Sequence, residues 1–189
     1  MQAMGTGPRS GPAVDANAFF APLTFLANEH YRQHRVCAIL EHLATNPSYP
    51  SYGAWPEDLE TVYDYLAREF ELHLADEEES LLPAIADRCA NREQTTEIAV
   101  TMRRRHKRQR ALCGKLIADV ECLIEGRPLP DPERFDLDAL GFAADLRKTM
   151  HWENEVVLPL ARRNLRNPDY ARMGQGMAAR RGVALEPWA

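Results

Sequence analysis

The chain reads as an all-α protein: an antiparallel up-down four-helix bundle followed by a short C-terminal helix. Three observations carry that reading. Apolar residues recur at spacings of three and four along four segments of about 25–30 residues, the period of amphipathic helices. No segment shows convincing strand alternation. The connections, of about 4–13 residues, are short enough to make consecutive helices antiparallel neighbours. The 189 residues suffice for one well-buried domain.

The elements follow in chain order. Met1 to Val14 is rich in Gly and Pro, and residues 1–17 are expected to form a flexible tail. The first helix runs from about Ala18 to Ala44. Asn46 to Trp55 carries Pro, Ser, Tyr and Gly and reads as a loop. Pro56 can open the second helix, with Glu57 and Asp58 favouring its positive N-terminus; it continues to about Ala90. The third runs from about Arg92 to Glu125 and stops near Gly126, with Pro128 and Pro130 beyond. The fourth spans about Asp136 to Arg166. Asn167-Pro168 begins a last short helix ending near Gly182. The bundle thus occupies 18–166, and 167–189 form the short helix and C-terminal tail.

Phasing each helix by its apolar stripe turns polar groups inward. In the second helix the stripe is Val62, Leu66, Phe70, His73, Glu77, Leu81 and Ala84. In the first it is Leu23, Leu26, His30 and Cys37, with His34 at one margin. The third gives Ala99, Met102, His106, Cys113, Val120 and Ile124. The fourth gives Phe142, Leu146, Thr149, Glu153, Val157 and Leu160. Each helix therefore aims at least one potential metal ligand at mid-height of the core. Bundles build metal sites in this way. Buried without a cation, two carboxylates would be pushed strongly towards protonation. The set of His30, His73, His106, Glu77 and Glu153 mixes nitrogen and oxygen donors, which suits iron, manganese or zinc. Carboxylates able to bridge favour a pair of irons.

These residues resemble the hemerythrin-like, or HHE cation-binding, family over roughly Ala21 to Arg166. The resemblance rests on Asn28-Glu29-His30-Tyr31-Arg32, on His73-x-x-x-Glu77 followed by Leu81-Leu82-Pro83, on His106, and on Trp152-Glu153-Asn154-Glu155-Val156-Val157-Leu158-Pro159. It implies a four-helix bundle with a non-haem di-iron centre, terminal His ligands and two bridging carboxylates. It also implies roles in O2 binding, in sensing O2, NO or redox state, in peroxide chemistry or in iron handling. The fourth helix departs from the family pattern of His-x-x-x-Glu. His151 and Glu155 satisfy it by spacing but not by phase. Glu153 lies on the stripe and precedes Pro159 by six residues, as Glu77 precedes Pro83. Thr149 then stands where the family has its His, and one iron keeps a single protein His. His151 remains the alternative ligand, through a π-bulge near Pro159 that would rotate it inward; His34 is a further candidate. Arg110 stands four residues after His106, where oxygen-carrying members have a second His. It can pair with a carboxylate or an anionic ligand.

Other functions are disfavoured. The net charge of −5 argues against nucleic acid and anionic membranes, so the basic run Arg103–Arg110 reads as a solvated face. No apolar run approaches a membrane span. Cys37, Cys89, Cys113 and Cys122 lack Cys-x-x-Cys spacing and read as reduced thiols of a cytoplasmic protein. Ferritin-like sites need Glu-x-x-His pairs, and none occurs. The expected ligand is a small diatomic molecule or peroxide, and a homodimer is compatible with the chain. A metal-stabilised interaction module holding one zinc or iron, and a di-iron peroxidase or oxidase, are the alternatives. Binding ranks above catalysis, because no dedicated acid or base stands out.

Overall fold

A computed structural model describes residues 15–46 and 56–185, and every regular element among them is helical. A 3₁₀ turn, Ala16–Phe20, leads into α1, Pro22–Thr45. Helix α2 spans 56–88 and is interrupted by two widened π turns, Tyr65–Glu69 and Asp76–Leu81. Helix α3 is Arg92–Ile124. Helix α4 spans 132–164 with one π turn, Glu153–Val157. Helix α5 is Asn167–Arg180. The expected tail over 1–17 lies outside the described residues except for its last three. Of those, Ala16 and Asn17 belong to the 3₁₀ turn, which packs against α5. The expected loop at 46–55 also lies outside the described residues, apart from Asn46.

Local chemistry explains the boundaries. Pro22 sits in the first turn of α1, where its missing N–H costs nothing. The Asn91 and Asp131 side chains accept from the backbone N–H of Gln94 and Arg134, capping α3 and α4 at 3.0 Å each. At the end of α3, Gly126 takes φ 68°. Its N–H meets Leu123 O at 3.1 Å, and the Arg127 N–H meets Cys122 O at 2.8 Å, the two closing bonds of a glycine-terminated helix.

Pairs across the helices run in opposite directions along each interface. His30 with Asn154 and Cys37 with Ala143 join α1 to α4; Glu78 with His106 and Tyr63 with Glu121 join α2 to α3; Arg105 with Thr149 and Asp119 with Arg134 join α3 to α4. His30 beside His73, and Arg32 beside Tyr65, complete the ring between α1 and α2. The apolar core is split in two. One cluster gathers Val36 to Leu43, Leu59 to Leu74, Cys113 to Leu123 and Phe135 to Met150. The other gathers Phe19 to Leu26, Leu81 to Cys89, Met102, Val157 to Leu165 and the apolar face of α5. His30, His73, Glu77, His106 and Glu153 lie between the two, in a slab walled by hydrocarbon on both sides. Among the described residues no helix is long and apolar enough to cross a membrane.

Candidate metal centre

The two carboxylates of this slab ride on matching distortions. Glu77 is the second residue of the π turn Asp76–Leu81, and Glu153 is the first of Glu153–Val157. Each turn is widened: the Leu82 N–H bonds back to Glu77 O, and the Leu158 N–H to Glu153 O, five residues earlier in both cases. Proline follows immediately, at Pro83 and Pro159. Proline has no N–H to give the carbonyl four residues back, and its ring crowds that carbonyl. A wider preceding turn relieves the crowding, and π turns of this kind concentrate at functional sites.

His30, His73, Glu77 and Glu153 each place a ligand atom within 4.8 Å of the other three, and all four residues are buried. His30 Nε2 lies 3.3 Å from Glu153 Oε2, and His73 Nε2 lies 3.7 Å from Glu77 Oε2. His106 adds a fifth donor, its Nε2 being 3.2 Å from Glu77 Oε2 and 4.0 Å from Glu153 Oε1. Despite these separations, six of the atoms have no hydrogen-bond partner in acceptable geometry: His30 Nε2, His106 Nε2 and all four carboxylate oxygens. Leaving so many buried polar atoms unsatisfied is costly. Ligands held about 2.1 Å from one ion stand roughly 3.0–3.4 Å apart, close to the shorter separations seen here. The donors therefore fit a cation, with nitrogen and carboxylate oxygen in the mixture preferred by iron, manganese or zinc.

Outer partners orient the imidazoles. His30 Nδ1 pairs with Asn154 Oδ1 at 3.0 Å, and His106 Nδ1 with Glu78 Oε1 at 2.7 Å. With the Nδ1 protons donated outward, both Nε2 atoms are left to face the site, the usual way a protein presents a histidine to a metal. Glu78 is in turn held by Arg110 at 3.0 Å, and Arg110 also grips Glu71.

Burial and mutual charge set protonation. Burial and the adjoining Glu153 charge push Glu77 up to about 7. Burial also opposes ionisation of Glu153, but the adjoining His106 and His30 imidazoles outweigh it and bring Glu153 down to about 2. Burial disfavours a charged His106, yet Glu153 and Glu77 reverse this and raise it to about 10. Burial, then the neighbouring His30, lowers His73 to about 3. Without an ion, protons hold this centre together, so metal and protons compete for the same atoms.

Sequence reading brings His30, His73, Glu77, His106 and Glu153 inward, and the structure gathers all five. It does not gather the other two candidates. His151 is exposed, because it stands two residues before Glu153 and so faces the other side of α4; the π turn begins only after it. His34 is exposed too, and Arg147 lies 2.9 Å from its Nδ1. Thr149 fills the inward position of α4, where its Oγ accepts from Gln109 Nε2 at 2.9 Å and from Arg105 at 3.2 Å and donates to Asp145 O. Arg110 does pair with carboxylates, as its place four residues after His106 allows, and with Glu78 it forms the bridge behind His106. Gln109 and Asp76 are fully buried as well, beyond the residues that the apolar stripes bring inward. Gln109 had one available signal, as the uncharged residue beside His106 in an otherwise basic run.

A family model described as Hemerythrin HHE cation binding domain matches residues 21–161. No curated protein and no solved structure matches the chain.

Proposed function

The chain belongs to the hemerythrin HHE cation-binding family, and we propose that it is a non-haem iron protein that binds O2, NO or peroxide in sensing, storage or iron handling. One observation carries this reading: five imidazole and carboxylate side chains from four helices meet in a buried slab with their donor atoms unsatisfied. When bound, iron supplies reversible one-electron chemistry and coordination positions that the protein leaves open. His30 and His73 would hold one ion together with Glu77 and Glu153. His106 would hold a second, sharing those carboxylates and bound more weakly, since Thr149 and Arg110 contribute no further nitrogen ligand. The apolar clusters on either side exclude water, and Asn154 and Glu78 keep the imidazoles aimed. Four free, buried cysteines fit a reducing compartment, which supports the cytoplasm. Zinc or manganese fits the same donors.

The test is anaerobic loading with Fe(II), measurement of iron per chain, then exposure to O2 and to NO while the near-ultraviolet and visible absorption is followed. More than one iron per chain and a gas-dependent spectrum are expected. A chain that takes up iron without any spectral response to either gas favours a second reading, in which the ion only stabilises an interaction module. The closed hydrogen bonding of Thr149 with Gln109 and Arg105 is the observation that motivates it. A di-iron peroxidase or oxidase is ranked lower. Steady turnover of hydrogen peroxide, rather than stoichiometric consumption, would promote it.

A further inference from the structure

The π turn that carries Glu77 is gripped from outside the four-helix bundle. Its first residue, Asp76, is completely buried. Two consecutive arginines at the end of α5 reach it from 104 and 105 positions further along the chain. Arg180 Nε donates to Asp76 Oδ1 at 2.8 Å, and an Arg181 guanidinium nitrogen lies 2.8 Å from Asp76 Oδ2. Arg180 also reaches Glu79 at 3.2 Å and Ser80 Oγ at 2.5 Å, so it touches three residues of one widened turn. The Arg181 side chain is itself only 4% exposed and lies over the rings of Phe25 and Phe19 at 4.8 and 5.6 Å. The α5 backbone lies close as well. A Cβ added at Gly176 would stand 3.1 Å from Ser80 Oγ, and one at Gly174 would stand 2.1 Å from Phe19 O.

We propose that α5 is a clamp on the metal centre, with Arg180 and Arg181 acting as positioning residues that hold the Asp76–Leu81 turn and so aim Glu77 at the ion. This rests on the metal reading above. The physical reason is the turn itself. A π turn is less favourable than the α-helix it interrupts and persists only where its surroundings select it. Relaxation to α-helical register would rotate Glu77 relative to His73 and His106. The Asp76 carboxylate, adjacent in sequence and locked by two guanidinium groups, prevents that rotation. Pro83 disfavours a regular turn, but it does not choose where the extra residue goes. The arginines do.

The experiment compares Arg180→Met, Arg181→Met and Arg88→Met. Arg88 anchors α5 at its other end, through Asp169 at 2.7 and 2.9 Å, without touching Asp76–Leu81. Co(II) serves as the probe, its dissociation constant read by competition with a chromophoric chelator, with far-UV circular dichroism and melting temperature measured on each variant. Arg180→Met is expected to weaken Co(II) by about 10-fold and Arg181→Met by up to about 100-fold, the range for residues that orient metal ligands. Arg88→Met is expected to lower the melting temperature and leave Co(II) affinity unchanged. Arg180 is the more exposed of the pair, and its loss leaves Arg181 on its two rings, so that variant keeps the test open should Arg181→Met not fold. A folded Arg180→Met chain with wild-type affinity overturns the clamp. So does Arg88→Met if it weakens Co(II) as much as Arg180→Met. A wild-type chain that binds no Co(II), Fe(II), Mn(II) or Zn(II) overturns the metal reading and the clamp together.

Discussion

Loading the apo protein with metal should raise its melting temperature by an amount that can be worked out. His30, His73, Glu77, His106 and Glu153 are each no more than 2% exposed and come from four different helices. Unfolding therefore destroys the site, and the free energy of binding adds to that of folding as RT ln(1 + [M]/Kd). At free metal 100 times Kd the gain is about 2.7 kcal/mol. For a domain of this size, 1 kcal/mol moves the midpoint by roughly 2–4 °C, so the shift should be about 5–11 °C. Differential scanning fluorimetry of chelator-treated protein, with Fe(II) under argon or with Co(II), Mn(II) or Zn(II), reads it directly. Glu77→Gln separates this from non-specific stabilisation. Burial and the Glu153 charge already drive Glu77 towards its neutral form, up to about 7, so a neutral amide should leave the apo midpoint unchanged or higher. The metal-dependent increment should largely disappear, because the amide removes the carboxylate that faces both His73 and His106. Two results would refute the reasoning: no shift with any of the four ions, or an equal shift in the Glu77→Gln chain.

Three further outcomes follow from the same geometry. Thr149→His restores an imidazole at the inward position of α4 and should raise the affinity for a second equivalent of metal, measured by titration with elemental analysis; unchanged stoichiometry and affinity would show that Thr149 does not face the second position. Glu78→Ala frees the His106 ring from its 2.7 Å partner and should weaken metal binding by about 10–100-fold with little change in far-UV circular dichroism. Asp169 predicts a pH dependence: hydrogen bonds from Arg88, opposed by desolvation and reinforced by the Arg166 backbone and Arg172, hold its carboxyl well below the ordinary range. A depressed folded-state value means that its stabilisation is fully present above the unfolded value of about 3.9 and declines below it, until the pH has fallen through the depressed folded value. Urea unfolding of the apo protein should therefore show Asp169→Asn less stable than wild type at pH 6, with the gap beginning to narrow only as the pH falls below about 4; a gap independent of pH would contradict the assignment.

How much of this was legible beforehand depends on the range of each interaction. The 3.6-residue period is local, so Leu26, Phe70, Met102 and Leu146 mark the inner faces of four rods without any coordinates. The same phase turns His30, His73, Glu77, His106 and Glu153 inward. In α2 the run His73, Glu77, Leu81 advances by fours, which a widened turn keeps in phase, and the proline six residues after each carboxylate repeats that pattern in α4. That is also why Glu153, and not the correctly spaced pair His151 and Glu155, faces the core.

Helices, inner stripes and the set of donors turned towards a common axis are thus written locally into the chain, because each is a matter of neighbours within two turns. What surrounds those donors emerges only when the helices pack. Asn154 behind His30, Thr149 locked to Gln109 and Arg105, and Arg180 with Arg181 on buried Asp76 join residues 40 or more positions apart. No local period encodes such pairs. They form because an unpaired polar group in a dry interior is costly, and the folded packing alone dictates which distant partner is in reach.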